Sequence, residues 1–534
     1  MTWTIEQAIG QKLMLAFVGT QPASDVLATI QNQHVGGVTL FRALNVVDPP
    51  QVRTLTDALQ QAAAASGQPP LLVAVDQEGG QLMAIGEGAT PFPGNMALGA
   101  TASTELAQRM GHAIGLELAA MGVNVNYAPV CDVNTNPHNP TVGVRSLGED
   151  AGLVARMGAA LITGMQSAGV AATAKHFPGG GDVAVDPHHD VPVVSHDRQR
   201  LDRVELLPFA QAIEAGVRLI MTGHVAIPAL NDGLDLPATL SRPIMQSLLR
   251  GEMGFDGVII SDALEMGAIA QGAGQMIDII AATLAGVDLL LLNADLNLQR
   301  LAFDGLRHAL KRALIPRDYL LASAQRVLAL KEWLSGQARP DLDVVGSAAH
   351  HALAEEIAGR SMTLVRDEAQ RLPLRLAPEA RLALVLPRPE DLTPADTSSY
   401  VRLSLADAMR RYHPRVDEFI TTHRPTSQEI AAIRERARDY DLVIAGTISA
   451  HRNPEQAALV NALLQAEVPL IAVALRTPYD LAAFPGVRTY VCTYSILEPS
   501  MAALAKALWG QATFRGHLPA SIPDMYRLGH GIET

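Results

Sequence analysis

Ala171 to Val194 reads AATAKHFPGGGDVAVDPHHDVPVV. A short apolar strand comes first and ends on two polar side chains, Lys175 and His176. A loop follows in which Gly179, Gly180, Gly181, Asp182, Asp186, His188, His189 and Asp190 fall within twelve residues. Consecutive glycines free the backbone for positive φ angles and sharp turns. Carboxylate and imidazole groups gathered on such a loop point to function more than to packing. In Asp186-Pro187-His188 the proline fixes the backbone between two groups that can pair as carboxylate and imidazole.

Outward from this stretch, short apolar runs recur at Leu13–Val18, Val35–Phe41, Leu71–Asp76, Val123–Pro129, Leu219–His224, Gly257–Asp262 and Val287–Asn293. With Ala171–His176 they make eight. Segments with 3.6-residue apolar spacing lie between them, at Ser103–Met121, Leu153–Ala168, Leu201–Ala215 and Ala268–Ala285. Strand and helix in alternation predict a parallel sheet, and eight units predict a (β/α)8 barrel. Such a barrel carries its chemistry where the strands end. Asp76, Lys175, His176, His224, Asp262 and Asn293 stand at those ends, and Arg145 lies in the long loop after the fourth run.

Arg317–Leu334 reads as a last barrel helix, which places a catalytic barrel domain at residues 1–335. Pro and Gly break the periodicity in GQARPDLDVVGS, residues 336–347, which reads as a linker. From residue 348 to 534 the pattern restarts with a helix at Ala348–Arg360. Strand-like runs follow at Leu382–Leu386, Leu442–Ala445 and Leu470–Leu475, with helical stretches at Thr426–Tyr440 and Pro454–Glu467. This predicts an αβα sandwich with a mostly parallel sheet. Gly516-His517-Leu518-Pro519 reads as a turn into an edge strand.

Composition narrows the partners. Hydrophobic residues make up 48% and charged residues 18% of 534, so large buried cores are expected. A net charge of −13 leaves no basic surplus to neutralise phosphates, which excludes nucleic acid as the main partner. Cys131 and Cys492 sit far apart in apolar contexts and read as buried free thiols. The N-terminus has no basic start, apolar stretch and cleavage site, and no apolar run is long enough to span a membrane. The expectation is a cytoplasmic protein without membrane contact. No zinc-like His/Cys spacing and no calcium loop occur, so neither metal nor cofactor is expected.

Seven motifs then share one resemblance: AVDQEGG (Ala74–Gly80), PFPGNMALGA (Pro91–Ala100), NYAPVCDVNTNPHNPTVGVRSLGED (Asn126–Asp150), KHFPGGGD (Lys175–Asp182), DPHHDVP (Asp186–Pro192), MTGHVAIPAL (Met221–Leu230) and GVIISDALEMGAI (Gly257–Ile269). In this order they resemble glycoside hydrolase family 3, in its bacterial β-N-acetylglucosaminidase branch of the peptidoglycan-recycling type. The resemblance implies a retaining mechanism with Asp262 as nucleophile. It implies His188 as acid/base, paired with Asp186, and Asp76, Arg145, Lys175, His176 and His224 around the sugar. The physics agrees: a carboxylate at a strand end can attack an anomeric carbon, and a free imidazole titrates near neutrality. Aromatic content of 4% is sparse for a long stacking cleft and favours a pocket for one terminal sugar. The implied substrate is a small GlcNAc-terminated glycoside, such as a GlcNAc-(anhydro)MurNAc fragment. A phosphorylase on the same scaffold, a β-glucosidase or β-xylosidase, and a sugar sensor without turnover are the alternatives. Three places differ from the family pattern: Gly180 replaces an imidazole, Pro187 replaces a serine, and the stretch Gln81, Leu82, Met83 and Ala84 holds no arginine where one is expected nearby.

Overall fold

The computed structural model describes residues 3–269 and 271–534. Ten strands precede residue 300: β1 (Leu13–Leu15), β2 (Gly37–Thr39), β3 (Leu72–Val75), β4 (Gln77–Gly79), β5 (Leu82–Met83), β6 (Val125–Asn126), β7 (Ala171–Phe177), β8 (Leu219–Thr222), β9 (Val258–Ser261) and β10 (Leu290–Leu292). β4 and β5 form a small antiparallel hairpin. The other eight lie parallel in the order β10-β1-β2-β3-β6-β7-β8-β9. Ile260 bridges Leu289, and the Ser261 N–H donates to the Leu289 carbonyl at 2.9 Å, so the ring closes. This is the expected (β/α)8 barrel.

The strands alternate strictly. Met14, Leu72, Ala74, Leu219, Met221, Val258, Ile260, Leu289 and Leu291 fill one cluster inside the ring. Their neighbours Leu13, Leu15, Val73, Val75, Ile220, Ile259, Leu290 and Leu292 join the larger cluster under the helices. A period of two makes that division automatic once one residue is committed. Helix Arg317–Ser335 lays Val327 and Leu330 against the interior cluster. Its Lys331 ammonium donates to Gln11 at 2.7 Å, just ahead of β1, and Trp333 lies 4.5 Å below the Arg218 guanidinium, just ahead of β8. That helix therefore covers the N-terminal mouth. Burial pulls the Lys331 ammonium down to about 7. The C-terminal mouth is left for the site.

The second sheet holds β11 (Thr363–Asp367), β12 (Leu382–Pro387), β13 (Val416–Thr421), β14 (Leu442–Thr447), β15 (Leu470–Ala474) and β16 (Thr489–Cys492). Its order is β11-β16-β15-β14-β12-β13, parallel except for β11 on β16. Leu382, Leu384, Ile444 and Val473 face one apolar cluster, and Ala383, Val385, Val443 and Ala472 the other. The second cluster also takes Met96, Ala97 and Ala100 from barrel helix Asn95–Thr101, so the two domains share a core. Both cysteines are buried and free. No helix among the described residues is long and apolar enough to cross a membrane.

Four local expectations are corrected. The helix expected over 201–215 is two, Arg198–Arg203 and Leu207–Glu214, with Pro208 in the first turn of the second, where its missing N–H costs no helix bond. The helix expected from Ala268 begins at Gln275, after glycines 267, 272 and 274; residue 270 lies outside the described residues. Gly516–Pro519 leads into no strand; Leu518 instead exchanges backbone hydrogen bonds with the tail, donating to His530 and accepting from Gly529. β11, β13 and β16 were not expected. β13 reads VDEFIT, whose exposed acidic residues mask an edge strand.

Candidate active site

The inward alternation runs on past the strand ends. Asp76 continues Leu72 and Ala74, Asp262 continues Val258 and Ile260, Asn293 continues Leu289 and Leu291, and Lys175 keeps the parity of Ala171 near the end of β7. These side chains line a cavity of about 610 Å³ over the barrel mouth. Thr222 and His224 fall on the opposite parity. The inward position between them is Gly223, where a Cβ would stand 3.1 Å from the His176 Cβ. A cis peptide joins Lys175 to His176, and the β7–β8 register shifts between Ala174 and Phe177.

Four charges make up the floor. Lys175 Nζ donates to Asp76 Oδ1 at 2.5 Å and to Glu78 Oε1 at 2.7 Å. Arg145 holds Glu78 with two prongs, Nε to Oε2 at 2.9 Å and Nη2 to Oε1 at 2.8 Å. Burial alone would raise the Glu78 carboxyl, but Arg145 and Lys175 outweigh it and bring it to about 2. Burial likewise opposes the charge on Lys175, and Asp76 and Glu78 restore it above its ordinary value. The set is neutral and paired, which is how charge is tolerated at such depth. Asp76 keeps Oδ2, and Lys175 its third N–H, for a ligand.

Asp262 stands beside this floor. Its Oδ1 accepts from the Ala263 N–H at 2.8 Å, and His176 Nε2 lies 4.0 Å from Oδ2. Burial pushes its carboxyl up; His176 and the Ala263 N–H push harder in the other direction, and it ends below the ordinary carboxylate range. His176 is oriented from behind, Nδ1 to Asp132 Oδ2 at 2.7 Å, while Asp132 Oδ1 accepts from the Gly180 N–H at 2.6 Å. His224 has both ring nitrogens engaged, Nδ1 with Thr239 Oγ1 at 2.8 Å and Nε2 with the Ala263 carbonyl at 2.9 Å. It borders the cavity yet has no free donor for a ligand. Burial lowers its imidazole below the usual range, which suits a neutral ring donating through Nε2.

The glycine-rich loop carries the remaining pair. His188 Nδ1 meets Asp186 Oδ1 at 2.7 Å, and the His188 N–H donates to the same oxygen at 2.9 Å. Burial raises the Asp186 carboxyl, but the bonds from His188 bring it below its ordinary value. The loop is docked through its backbone onto the segment after Asp262: Gly267 N–H donates to the His188 carbonyl and Ala268 N–H to that of Pro187, both at 3.1 Å. At its base His196 Nε2 meets Asp182 Oδ2 at 2.5 Å.

The second domain closes one side of the cavity with Asp391, Pro394, Ala395, Thr397 and Tyr400. Gln81 meets this wall. Its carbonyl accepts from the Thr397 N–H at 2.8 Å and from Thr397 Oγ1 at 2.9 Å, and its Nε2 donates to the Ala395 carbonyl at 3.1 Å. All eight residues expected at the site line this one cavity except Asp186, which stands behind His188. Glu78, Asp132 and Glu265 were missed. The first two lie inside the motifs AVDQEGG and NYAPVCDVN, each a carboxylate two or three residues past the apolar runs Leu71–Asp76 and Val123–Pro129, and that was the signal available. Glu265 follows Asp262 by three residues; burial lifts its carboxyl to about 7.

Paired carboxylates and cations at the C-terminal mouth of a parallel barrel, closed on one side by a second α/β domain, make a site for a small polar ligand. A family model described as the glycosyl hydrolase family 3 N terminal domain matches residues 4–330. The β-hexosaminidase A of Pseudoalteromonas piscicida is 33% identical, with 97% of each chain covered. A solved glycoside hydrolase family 3 β-N-acetylglucosaminidase from Paenibacillus sp. str. FPU-7 matches with a TM-score of 0.92 at 40% identity, over 98% of this chain and 99% of that one. A β-glucoside phosphorylase structure matches with a TM-score of 0.80 at 25% identity, over 98% and 94%. The chain belongs to glycosyl hydrolase family 3.

Proposed function

We propose that this protein is an exo-acting, retaining β-N-acetylglucosaminidase that removes a terminal non-reducing GlcNAc. The observation that carries the reading is the pair of devices in one cavity: a carboxylate held ionised at Asp262 and an imidazole pinned by a carboxylate at His188. Asp262 attacks the anomeric carbon while His188 gives its proton to the departing oxygen. His188 then takes a proton from water, which displaces the Asp262 carboxylate, and two inversions restore the β configuration. Asp186 orients the ring, as the acid does in a triad. Asp76, Lys175, Arg145 and His176 hold the ring hydroxyls, and His224 positions the Ala263 backbone beside the nucleophile. The names of the matched hexosaminidases support the sugar assigned. Peptidoglycan-derived GlcNAc-(anhydro)MurNAc fragments in the cytoplasm complete the reading, with residues 1–335 as the catalytic domain, 336–347 as a linker and 348–534 as the sandwich.

Hydrolysis of p-nitrophenyl β-N-acetylglucosaminide beside the β-glucoside, with and without phosphate, tests this in wild type and His188→Ala. A preference for the N-acetyl sugar, indifference to phosphate and a loss of about 10²–10⁴-fold in the variant are expected. Undiminished turnover by His188→Ala refutes the acid/base assignment. Phosphorolysis is the second reading, favoured by the match to a β-glucoside phosphorylase; release of GlcNAc 1-phosphate would establish it.

A further inference from the structure

Depth in the cavity runs from the Lys175 side chain, 2% exposed, to Tyr400, 53% exposed. The floor is paired and takes the terminal sugar, so whatever leaves that sugar, or replaces the leaving group, lies toward the mouth. One cation there is built differently from the others. Arg42 follows β2 on the barrel rim and lines the cavity. Its guanidinium sits 4.3 Å from the Tyr400 ring centroid, and Nη1 donates to the Met83 carbonyl at 3.3 Å. Gly86 packs against it so closely that a Cβ there would stand 2.4 Å from Nη2.

Three guanidiniums more buried than this one each hold a carboxylate: Arg145 on Glu78 at 2.8 Å, Arg250 on Asp288 at 2.7 Å and Arg476 on Asp396 at 2.7 Å. Among the described residues Arg42 has no carboxylate within ion-pair distance. Asp391 and Glu87 are the acidic groups near enough to be felt. Asp391 is already spent on Ser399, whose N–H and Oγ each donate to it at 2.7 Å. Burial weighs most on Arg42 and holds it below its ordinary value, so the neighbouring acids do not compensate it. Among the described residues Nε and Nη2 have no hydrogen-bond partner, and neither is sealed from solvent, on a side chain that lines the cavity. A ring stacked on the face of a guanidinium leaves its edge free, and that edge matches two oxygens of an oxyanion.

We propose that Arg42, clamped by Tyr400 of the second domain, is the recognition residue of a leaving-group subsite for an oxyanion. The proposal rests on Asp262 as the glycosylated residue. Two sources share this chemistry: a carboxylate carried by the departing sugar, or inorganic phosphate that enters after the sugar departs. In the second case a phosphate oxygen bonds to the anomeric carbon, the bond to Asp262 breaks, and the carboxylate leaves with its electron pair; no proton moves.

Arg42→Gln and the charge-keeping Arg42→Lys separate the cases. Each is compared with wild type on chitobiose and on a β-N-acetylglucosaminide whose leaving sugar bears a carboxylate, with and without inorganic phosphate. For a carboxylate, kcat/KM of Arg42→Gln falls at least about tenfold further on the acidic disaccharide than on chitobiose, mostly through KM, and Arg42→Lys recovers part of it. For phosphate, wild type accelerates with phosphate and releases GlcNAc 1-phosphate, and Arg42→Gln raises the KM for phosphate about tenfold or more. Equal losses on both disaccharides with no phosphate effect overturn the subsite while Asp262 keeps its role. If wild type turns over no GlcNAc glycoside, the reading of Asp262 falls first and the subsite with it.

Discussion

A single methyl group at residue 267 should unseat the acid/base loop. Gly267 passes so close to that loop that an added Cβ would lie 2.7 Å from the His188 carbonyl oxygen and 2.8 Å from that of His189. Neither backbone oxygen can rotate away, so Gly267→Ala forces the loop outward by roughly half an ångström. The movement stretches both docking bonds, Gly267 N–H to His188 and Ala268 N–H to Pro187. A net loss of about 0.5–1.5 kcal/mol for each makes the docked loop roughly 5- to 150-fold rarer. His188 is then misplaced over Asp262, and a shift of this size in a positioned group costs up to about 100-fold in rate. The assay compares chitobiose with the 2,4-dinitrophenyl glycoside, whose leaving group departs without a proton. Turnover of chitobiose should fall about 10- to 100-fold and the first step on the dinitrophenyl substrate far less. Azide, a nucleophile that needs no base, should restore the second step. Equal losses on both substrates without azide rescue, or wild-type rates on both, would refute the docking argument.

Two further expectations concern charge. Glu78→Gln leaves Arg145 without its carboxylate and Lys175 with Asp76 alone, and should cost about 3 kcal/mol or more at pH 7 in chemical denaturation. Glu78, Asp186 and Asp262 are all held below their ordinary values, so each adds stability above about pH 4 that is lost as pH falls through the folded values. The variant should therefore show a shallower acid loss than wild type, and an identical pH dependence would contradict the network. Glu265 has the opposite sign. Its folded carboxyl titrates at about 7, so the unfolded chain loses this proton first and stability declines as pH rises from about 4.5 to 7. Glu265→Gln should remove that decline and be on the order of 1–3 kcal/mol more stable than wild type at pH 8; a variant no more stable there would show that burial does not hold this proton.

Periodicity was the legible part of this chain. Alternation of period two assigns Leu72, Ala74 and Asp76 to one face whatever lies opposite, because neighbouring side chains on a strand must diverge. Apolar runs that stop at Asp76, Lys175 and Asp262 therefore announced a barrel and its rim together. Asp186 and His188 were legible from their two-residue spacing on one loop. Contacts between distant segments were not. Glu78 meets Arg145 across 67 positions and Gln81 meets Thr397 across 316, and neither pair follows from its neighbours in the chain. The parallel pairing of β3 with β6 brings the first pair together, and the packing of Met96 and Ala97 under the second sheet brings the other. Folding also turned His224 from an expected sugar ligand toward the backbone beside Asp262, because Gly223 holds the inward position. Residue type and spacing name the groups a site can use. Which group faces the ligand, and which holds another in place, depends on chain closure across hundreds of residues, where no local preference operates.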